Sequence, residues 1–212
     1  MKRSIFLSLF LLFVMVFTGC ESSVKQSTGT IYNADWPYYD NPEELISVST
    51  NIFEGKITNV LFCVMDMGKV VNGTKASNKA KLYTVYEIEA TKVYKGDEKE
   101  KYYISVLGGI PGYKEEEQLK VLKECGMDNF KSIPVLKNGK QLNVDSSYLF
   151  LAVEKEADYL RVPNIDQFAF EIVPEKSEQK GPSYANIIEF YEKKRQGTVS
   201  EKRQGSVLCL AE

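Results

Sequence analysis

The side chains that could do chemistry in this chain are carboxylates and thiols, because histidine is absent. The 212 residues include no histidine, 29 acidic and 27 basic residues and four cysteines. Histidine is the commonest general base and the commonest metal ligand. Its absence excludes Ser-His-Asp and Cys-His catalysis within the chain, and also the usual histidine-bearing zinc sites. We therefore expect no catalytic residue, no metal site and no cofactor.

Two groups of acidic residues still offer alternatives to that expectation. Glu87 and Glu89 lie two apart on one face of a predicted strand, the arrangement that a carboxylate-dependent glycan hydrolase would need. Glu115, Glu116 and Glu117 offer hard oxygen ligands of the kind that calcium prefers. We expect the first pair to be solvated, and the second group to complement a helix dipole at its N-terminal end.

The cysteines follow no CxxC spacing, which excludes the common redox and metal motifs. Cys20 stands apart, directly after an apolar run, and leaves Cys63, Cys125 and Cys209 in the rest of the chain. Outside the cytosol a disulfide is permitted, and Cys63 with Cys125 is the first pair to consider. Buried, unreactive thiols are the alternative for each of them.

The first residues have the pattern of an export signal. Lys2 and Arg3 precede an apolar run over residues 5–17 that only Ser8 interrupts. Thirteen residues make roughly 20 Å of helix, which is short of the ~30 Å hydrocarbon core of a membrane. The run is therefore predicted to direct export rather than to span the membrane, and residues 1–19 are predicted to be removed.

The end of that run, Phe17-Thr18-Gly19-Cys20, resembles the lipobox of bacterial lipoproteins, with Phe17 in place of the usual leucine. The resemblance implies cleavage before Cys20, a diacylglyceryl group on its sulfur and anchoring at the extracytoplasmic face of a bacterial membrane. Two acyl chains at ~0.8 kcal/mol per buried CH₂ make a stable anchor. An ordinary signal peptide followed by a chance cysteine is the alternative.

Residues 20–40 are predicted to be a tether followed by an aromatic segment. Residues 21–30 are rich in Ser, Thr, Gly and Gln and span roughly 17–19 Å as a flexible chain. Trp36, Tyr38 and Tyr39 follow, and such side chains suit binding surfaces and membrane interfaces. Packing of this segment against the domain is the alternative.

Residues 41–174 are predicted to form a mainly β domain. Asn41-Pro42-Glu43-Glu44 predicts the start of a short helix, and residues 114–125 have the composition of an inserted helix. Asn138-Gly139 predicts a hairpin turn, and Gly55 a bulge or a close approach of two backbones. The predicted strands are residues 52–65, 82–94, 102–107, 133–136, 141–144, 148–153, 159–162 and 168–173.

Residues 175–212 are predicted to comprise a charged linker, a helix and a disordered tail. Tyr184, Ile187, Ile188 and Tyr191 form an apolar stripe at helical spacing, and we expect the stripe to dock on the domain rather than on a partner. Beyond it, Lys194-Arg195-Gln196-Gly197-Thr198-Val199 recurs as Lys202-Arg203-Gln204-Gly205-Ser206-Val207. Two copies of six residues are too few for a repeat architecture.

Many short strands with few helices predict a closed or partly closed antiparallel barrel, because closure removes exposed sheet edges. Three motifs agree with a known family. Thr50 to Ile57 precedes Tyr83-Thr84-Val85-Tyr86, which leads to Val93-Tyr94-Lys95-Gly96, and Gly108-Gly109 precedes the strand Tyr148-Leu149-Phe150-Leu151. The order is similar to that in bacterial relatives of the tissue-inhibitor-of-metalloproteinase and netrin-module superfamily, over residues 41–173.

That resemblance implies an OB-like barrel, but not the inhibitory mechanism of the animal proteins. Their free N-terminal cysteine chelates a protease zinc, whereas Cys20 here would be acylated and lies some thirty residues before the first strand. At Asp145-Ser146 the relatives usually have Gly-Glu.

The expected function is that of a non-catalytic binding or interaction module. An envelope protein or the cell wall is the expected partner, and nucleic acid is not, because removal of Lys2 and Arg3 with residues 1–19 takes the net charge from −2 to −4. A loop-based protease inhibitor and a carboxylate-dependent glycan enzyme are the alternatives. The candidate binding surface comprises Trp36, Tyr38, Tyr39, Gly108, Gly109 and Gly112.

Overall fold

A computed structural model describes residues 30–73, 76–156, 158–172 and 181–194. The described chain is mainly β, with 39% strand and three helices, which confirms the predicted class and the three predicted helices. The export signal, Cys20 with most of its tether, residues 173–180 and the tail beyond residue 194 lie outside the described residues, so the predictions made for them stay predictions.

The described chain begins with a short strand and ends with a helix. In chain order the elements are β1 (Ile31–Tyr32), α1 (Pro42–Val48), β2 (Asn51–Asp66), β3 (Lys69–Val70), β4 (Lys81–Lys95), β5 (Lys101–Leu107), α2 (Glu115–Glu124), β6 (Val135–Leu136), β7 (Ser147–Glu156), β8 (Tyr159–Arg161), β9 (Ala169–Glu171) and α3, residues 184–194.

Five strands pair into a ring. The sheet order is β3-β2-β4-β5-β8-β7-β9, and an additional pairing between β2 and β7 closes β2, β4, β5, β8 and β7 on themselves. The pairs are antiparallel except β5 with β8, which is parallel. The prediction of a wholly antiparallel sheet is therefore wrong, because strands in a ring of odd number cannot alternate in direction all the way round.

The length of β2 lets one strand pair on both sides. Residues 52–65 pair with β4, while residues 51–56 also pair with β7. A register shift between Glu54 and Gly55 bends the strand, and a Cβ on Gly55 would lie 2.6 Å from Ile88 Cγ2 and 2.7 Å from the Glu89 carbonyl oxygen. The bulge and close approach predicted at Gly55 are confirmed.

Alternation along the strands separates two apolar clusters. The main core fills the ring, where Phe53 stacks on Tyr102 with ring centroids 3.9 Å apart and on Phe150 at 5.4 Å. The neighbours of Phe53 and Phe150 in sequence face outward into a second cluster under α1 and α3. Its fully enclosed members are Leu45, Ile46, Ile52, Leu149, Leu151 and Ile187.

The helices form where the sequence predicts them. Asn41 caps α1, since its Oδ1 accepts a hydrogen bond from the Glu44 N–H at 2.9 Å. In α3, Ile187 is fully buried in the second cluster with Tyr184 and Ile188 packed beside it. The apolar stripe of α3 therefore docks on the ring, as expected.

The predicted hairpin around Asn138-Gly139 is wrong. Asn138 does adopt a left-handed φ of 57° in a turn, but β6 pairs in parallel with β1, and residues 141–144 form no strand. Side chains take the backbone donors that a strand would use: the Leu142 N–H donates to Tyr86 Oη at 3.4 Å, and the Asn143 N–H donates to Tyr148 Oη at 3.2 Å.

The sequence did not predict a small hairpin between β2 and β3. Met67 and Gly68 have φ values of 47° and 78°, as the two central residues of a type I′ turn require. They let β3 pair back on the end of β2.

Candidate functional site

A cleft lies between the beginning of β5 and the β7–β8 turn. Its volume is ≈430 Å³, within the ~300–1,000 Å³ typical of ligand sites. The lining residues come from four strands and three connecting segments, namely Thr50, Asn51, Asp97, Lys99, Lys101, Tyr102, Tyr103, Glu154, Asp158 and Leu160.

The cleft lies where neighbouring strands of the ring share the fewest residue pairs. Six residue pairs join β4 to β5, whereas only two, Ile104 with Leu160 and Ser105 with Arg161, join β5 to β8. Among the described strands, residues 101–103 therefore have a partner on the β4 side only. The first half of β5 thus presents a strand edge to the cleft.

The floor of the cleft is apolar and fixed, while its rim is charged. Tyr102 and Leu160 are 3% and 5% exposed, and the Tyr102 hydroxyl donates a hydrogen bond to the Asp97 carbonyl oxygen. Burial raises the pKa of Tyr102, so the phenol keeps its proton at neutral pH. On the wall, the rings of Tyr103 and Tyr159 are in contact, with centroids 6.5 Å apart.

The charges around the cleft do not balance. Lys101 Nζ lies 2.6 Å from Glu87 Oε1, outside the cleft lining, and this hydrogen bond and charge raise the pKa of Lys101 above its ordinary value. With Lys101 offset by Glu87, the remaining lining charges are Lys99 against Asp97, Glu154 and Asp158, so the cleft favours cationic groups.

The same ion pair bears on the carboxylate alternative. Glu87 is bound by Lys101, and Glu89 lies directly opposite Lys101 in the β4–β5 register. Both acids therefore face the same lysine. Glu89 is exposed, but the Glu87 side chain is 15% exposed, so the solvation expected of the pair applies to Glu89 and not to Glu87.

The space beside two of the three glycines of the predicted binding surface is filled by other residues of the chain. A Cβ on Gly108 would lie 2.7 Å from the Leu136 amide nitrogen, and one on Gly109 would lie 2.1 Å from Gln118 Oε1. Gln118 is fully buried and bonds both the N–H (3.0 Å) and the carbonyl (2.8 Å) of Ile110. Gly112 is exposed, and a Cβ added there would meet no atom of the described residues within 4 Å.

The aromatic segment is strapped to the domain by two buried amides. Asn164 Nδ2 donates to the Pro37 carbonyl at 2.6 Å, and Gln167 bonds both the N–H and the carbonyl of Tyr39 at 2.9 and 2.7 Å. Trp36 packs on the main core and Tyr39 on the second cluster. Tyr38, 66% exposed, is the member of the three that faces solvent.

Cys63 and Cys125 are free thiols in the structure. Burial, followed by the nearby Cys125, raises the pKa of Cys63 to about 12, and burial raises the pKa of Cys125 as well. Both groups are therefore protonated at neutral pH and slow to react, because the thiolate is the nucleophile. Their pairing stays a prediction.

A carboxylate that sequence reasoning missed lies under α3. Glu54 Oε1 accepts hydrogen bonds from the Tyr94 hydroxyl and, at 3.1 Å, from the Tyr184 hydroxyl. Burial and then the Glu54 carboxylate raise the pKa of Tyr94. The three residues are 130 positions apart at most, so no local pattern signals the cluster, although Tyr184 belongs to the predicted apolar stripe.

The described residues were compared with the requirements of a metal site and of a membrane-spanning helix. They contain no group of three or more Cys, Asp or Glu side chains that could hold a metal ion. Among them, no helix has the length and apolar character needed to cross a membrane.

No protein-family model matches the chain, and no curated protein matches it at a significant level. The similarity to the netrin-module superfamily therefore rests on the sequence motifs alone. Function has to be argued from the cleft and from the sequence before residue 30.

Proposed function

We propose that this protein is a lipoprotein anchored at the extracytoplasmic face of a bacterial membrane, and that it is a non-catalytic module that holds a polypeptide in the cleft beside β5. The observation that supports this function most directly is the cleft itself. It combines a half-paired strand with an apolar floor and a charged rim.

A polypeptide suits that geometry better than a compact small molecule. An extended peptide can add to an exposed strand edge through main-chain hydrogen bonds, while side-chain pockets give specificity. Residues 101–103 supply the edge, Tyr102 and Leu160 the apolar floor, and the excess of carboxylates a preference for basic side chains.

An OB-like barrel of the netrin-module kind is the fold we propose for the ring. Such barrels have five strands and are partly open, and the ring has five strands with its weakest closure at β5–β8. Asp145 has a left-handed φ of 67°, the conformation that glycine adopts most easily. The relatives carry glycine at this position, so the backbone supports the motif where the residue departs from it.

The anchor is proposed from the lipobox, and the tether fits it. The described domain begins at residue 30, ten residues after Cys20, a separation of roughly 17–19 Å in a flexible chain. The cleft would thus be held clear of the lipid headgroups.

The anchor is tested by expressing the full chain, Cys20→Ala and Cys209→Ala in bacteria and partitioning each between detergent and water. We expect the full chain and Cys209→Ala to enter the detergent phase with the mass of a diacylglyceryl group on a chain that begins at Cys20. Cys20→Ala should stay in the aqueous phase. Equal partition of Cys20→Ala and Cys209→Ala would refute lipid anchoring at Cys20.

The cleft is tested by crosslinking in intact cells. A photoreactive residue at Tyr103, within the cleft, should capture a discrete protein, and the same residue at Tyr38, on the exposed aromatic segment, should not. The capture should disappear when Glu154→Gln and Asp158→Asn are combined. Capture that is identical at both positions, or that survives the charge removal, would contradict a role for the cleft.

A further inference from the structure

The repeated segment at the end of the chain starts at the end of a helix that packs on β4, the strand before the cleft turn. The first copy begins at Lys194, the last described residue of α3. The Tyr191 hydroxyl donates to the Tyr94 carbonyl, and the two rings meet edge to face with centroids 5.5 Å apart. Tyr94 is three residues before Asp97 on the cleft rim, so α3 is bound to the strand that leads into the turn lining the cleft.

The Lys194 charge also acts on Lys95, whose ammonium donates a hydrogen bond to the Ile46 carbonyl of α1 at 3.0 Å. The pKa of Lys95 is lowered, first by burial and then by the positive charge of Lys194. Lys95 is the last residue of β4, and the 96–100 turn that follows supplies Asp97 and Lys99 to the cleft.

The tail is long enough to reach and fill the cleft. Six extended residues span roughly 20 Å at about 3.3–3.6 Å each. Three residues of β5 face the cleft without a second strand partner among the described strands, a length of roughly 10 Å. Either copy of the repeat can therefore run the length of the open edge.

The composition of the repeat complements the cleft. Each copy begins with a Lys-Arg pair and ends in Thr-Val or Ser-Val. The basic pair matches a rim on which Asp97, Glu154 and Asp158 outnumber Lys99 once Glu87 offsets Lys101. The β-branched Thr and Val at the end of the first copy favour an extended strand.

We infer that the C-terminal repeat is an intramolecular ligand of the cleft. One copy at a time lies extended beside residues 101–103, with its Lys-Arg pair against the carboxylates of the rim. An external peptide with the same pattern, a basic pair followed by small and β-branched residues, competes for the same place. That last step rests on the proposed binding function, whereas the intramolecular contact does not.

The test compares the mature lipoprotein in detergent micelles, residues 20–212, with a chain that stops at Lys194 and keeps every described residue. The probe is a synthetic peptide of residues 194–207. A tethered segment has an effective concentration of about 1 mM, so a free peptide of ~100 μM affinity should bind the shortened chain roughly tenfold more tightly. Equal affinity for both chains, or binding to neither, would overturn the inference.

Charge variants distinguish this contact from nonspecific binding of the peptide. In the shortened chain, combining Glu154→Gln with Asp158→Asn should weaken peptide binding by tenfold or more, whereas Glu116→Gln, at an exposed position of α2, should leave it unchanged. A peptide with both Lys-Arg pairs replaced by Gln-Gln should not bind. Unaltered binding in the charge variant would overturn the inference.

Sedimentation distinguishes a tail that folds back from one that reaches a second copy. The residue 20–212 chain and the shortened chain should have the same monomer mass in excess detergent at all concentrations. A dimer that disappears on truncation would overturn the intramolecular contact. None of these variants changes Cys20, so a failure here leaves the partition experiment on the anchor unaffected.

Discussion

The two ends of β5 are built in opposite ways. After Leu107 the strand runs into a closed end, formed by Gly108, Gly109, β6 and the buried amide of Gln118. Before Ile104 it faces the open end, the cleft whose rim charges are exposed and whose strand edge has a partner on one side only among the described strands. One strand thus joins a closely packed region, where a pocket of ≈170 Å³ is lined by Leu107, Gly109 and Leu136, to one that has ≈430 Å³.

The difference indicates that the closed end stabilises the fold, whereas the open end is free to recognise another molecule. At the closed end, buried polar groups satisfy one another, and a missing partner would leave a group unpaired away from water. At the open end, the charged groups are solvated, so changing them costs the fold little. The following predictions rank substitutions by that contrast.

The largest effect is expected from Gln118→Leu at the closed end. The change keeps the side-chain bulk but removes the hydrogen bonds to Ile110 and to the Tyr113 carbonyl, leaving buried backbone groups unpaired at about 1–3 kcal/mol each. We expect a loss of about 3–4 kcal/mol in the free energy of unfolding by urea denaturation.

The control for that change is Glu116→Gln, two residues earlier and exposed on the same helix, which should alter stability by less than about 0.5 kcal/mol. Equal effects from the two substitutions would show that the closed end is not held by its buried amide.

The sequence predicts the closed end better than the open end. Gly108-Gly109, the helix at 114–125 and the strands on either side are local patterns, and each appears within a few residues of its predicted place. It does not predict that the two glycines lie against Leu136 and Gln118, because that contact joins segments far apart in sequence.

The cleft could not be predicted from the sequence. Thr50, Asp97 and the pair Glu154 and Asp158 come from three separate stretches. The pairings of β2 with β7 and of β5 with β8 bring them together. The prediction of a hairpin over residues 133–144 was wrong for a related reason. Tyr86 and Tyr148 accept the donors of residues 142 and 143, and no short-range pattern announces those partners.

The next largest effect is a loss of stability in alkali. Burial raises the pKa of Tyr86 to about 12 from an ordinary value of 10, so the folded chain holds this proton where the unfolded chain releases it. The stabilisation is complete below pH 10 and is lost as the pH rises toward 12, by about 2–3 kcal/mol for two pK units.

Unfolding free energies measured from pH 8 to 12 check this. Tyr86→Phe should make the fall shallower, because one titrating group has been removed. A fall of the same steepness in Tyr86→Phe and in the unchanged chain would contradict the assignment to Tyr86.

A smaller loss of stability is expected where α3 packs on the second apolar cluster. Tyr184→Phe removes one of the two phenols that donate to Glu54, so we expect a loss of about 1 kcal/mol. Faster hydrogen exchange should be confined to the amides of α3. Tyr38→Phe, on the exposed ring, should leave the exchange of α3 unchanged, and a global increase in the Tyr184→Phe chain would show that α3 is integral to the main core.

The smallest effect on stability is expected from Glu154→Gln combined with Asp158→Asn. Both side chains are exposed, and surface substitutions of this kind change unfolding free energy by less than about 0.5 kcal/mol. The contrast is sharpest if the same pair of changes removes binding in the cleft. A loss of about 2 kcal/mol or more, well beyond that surface range, would mean that the open end also holds the fold together.

Hydrogen exchange with the added 194–207 peptide tests the division between the two ends most directly. In the chain that stops at Lys194, the peptide should slow exchange at residues 101–103 and 158–160, and leave residues 109–113 at their original rates. Protection at residues 109–113, or equal protection at both ends of β5, would contradict the account.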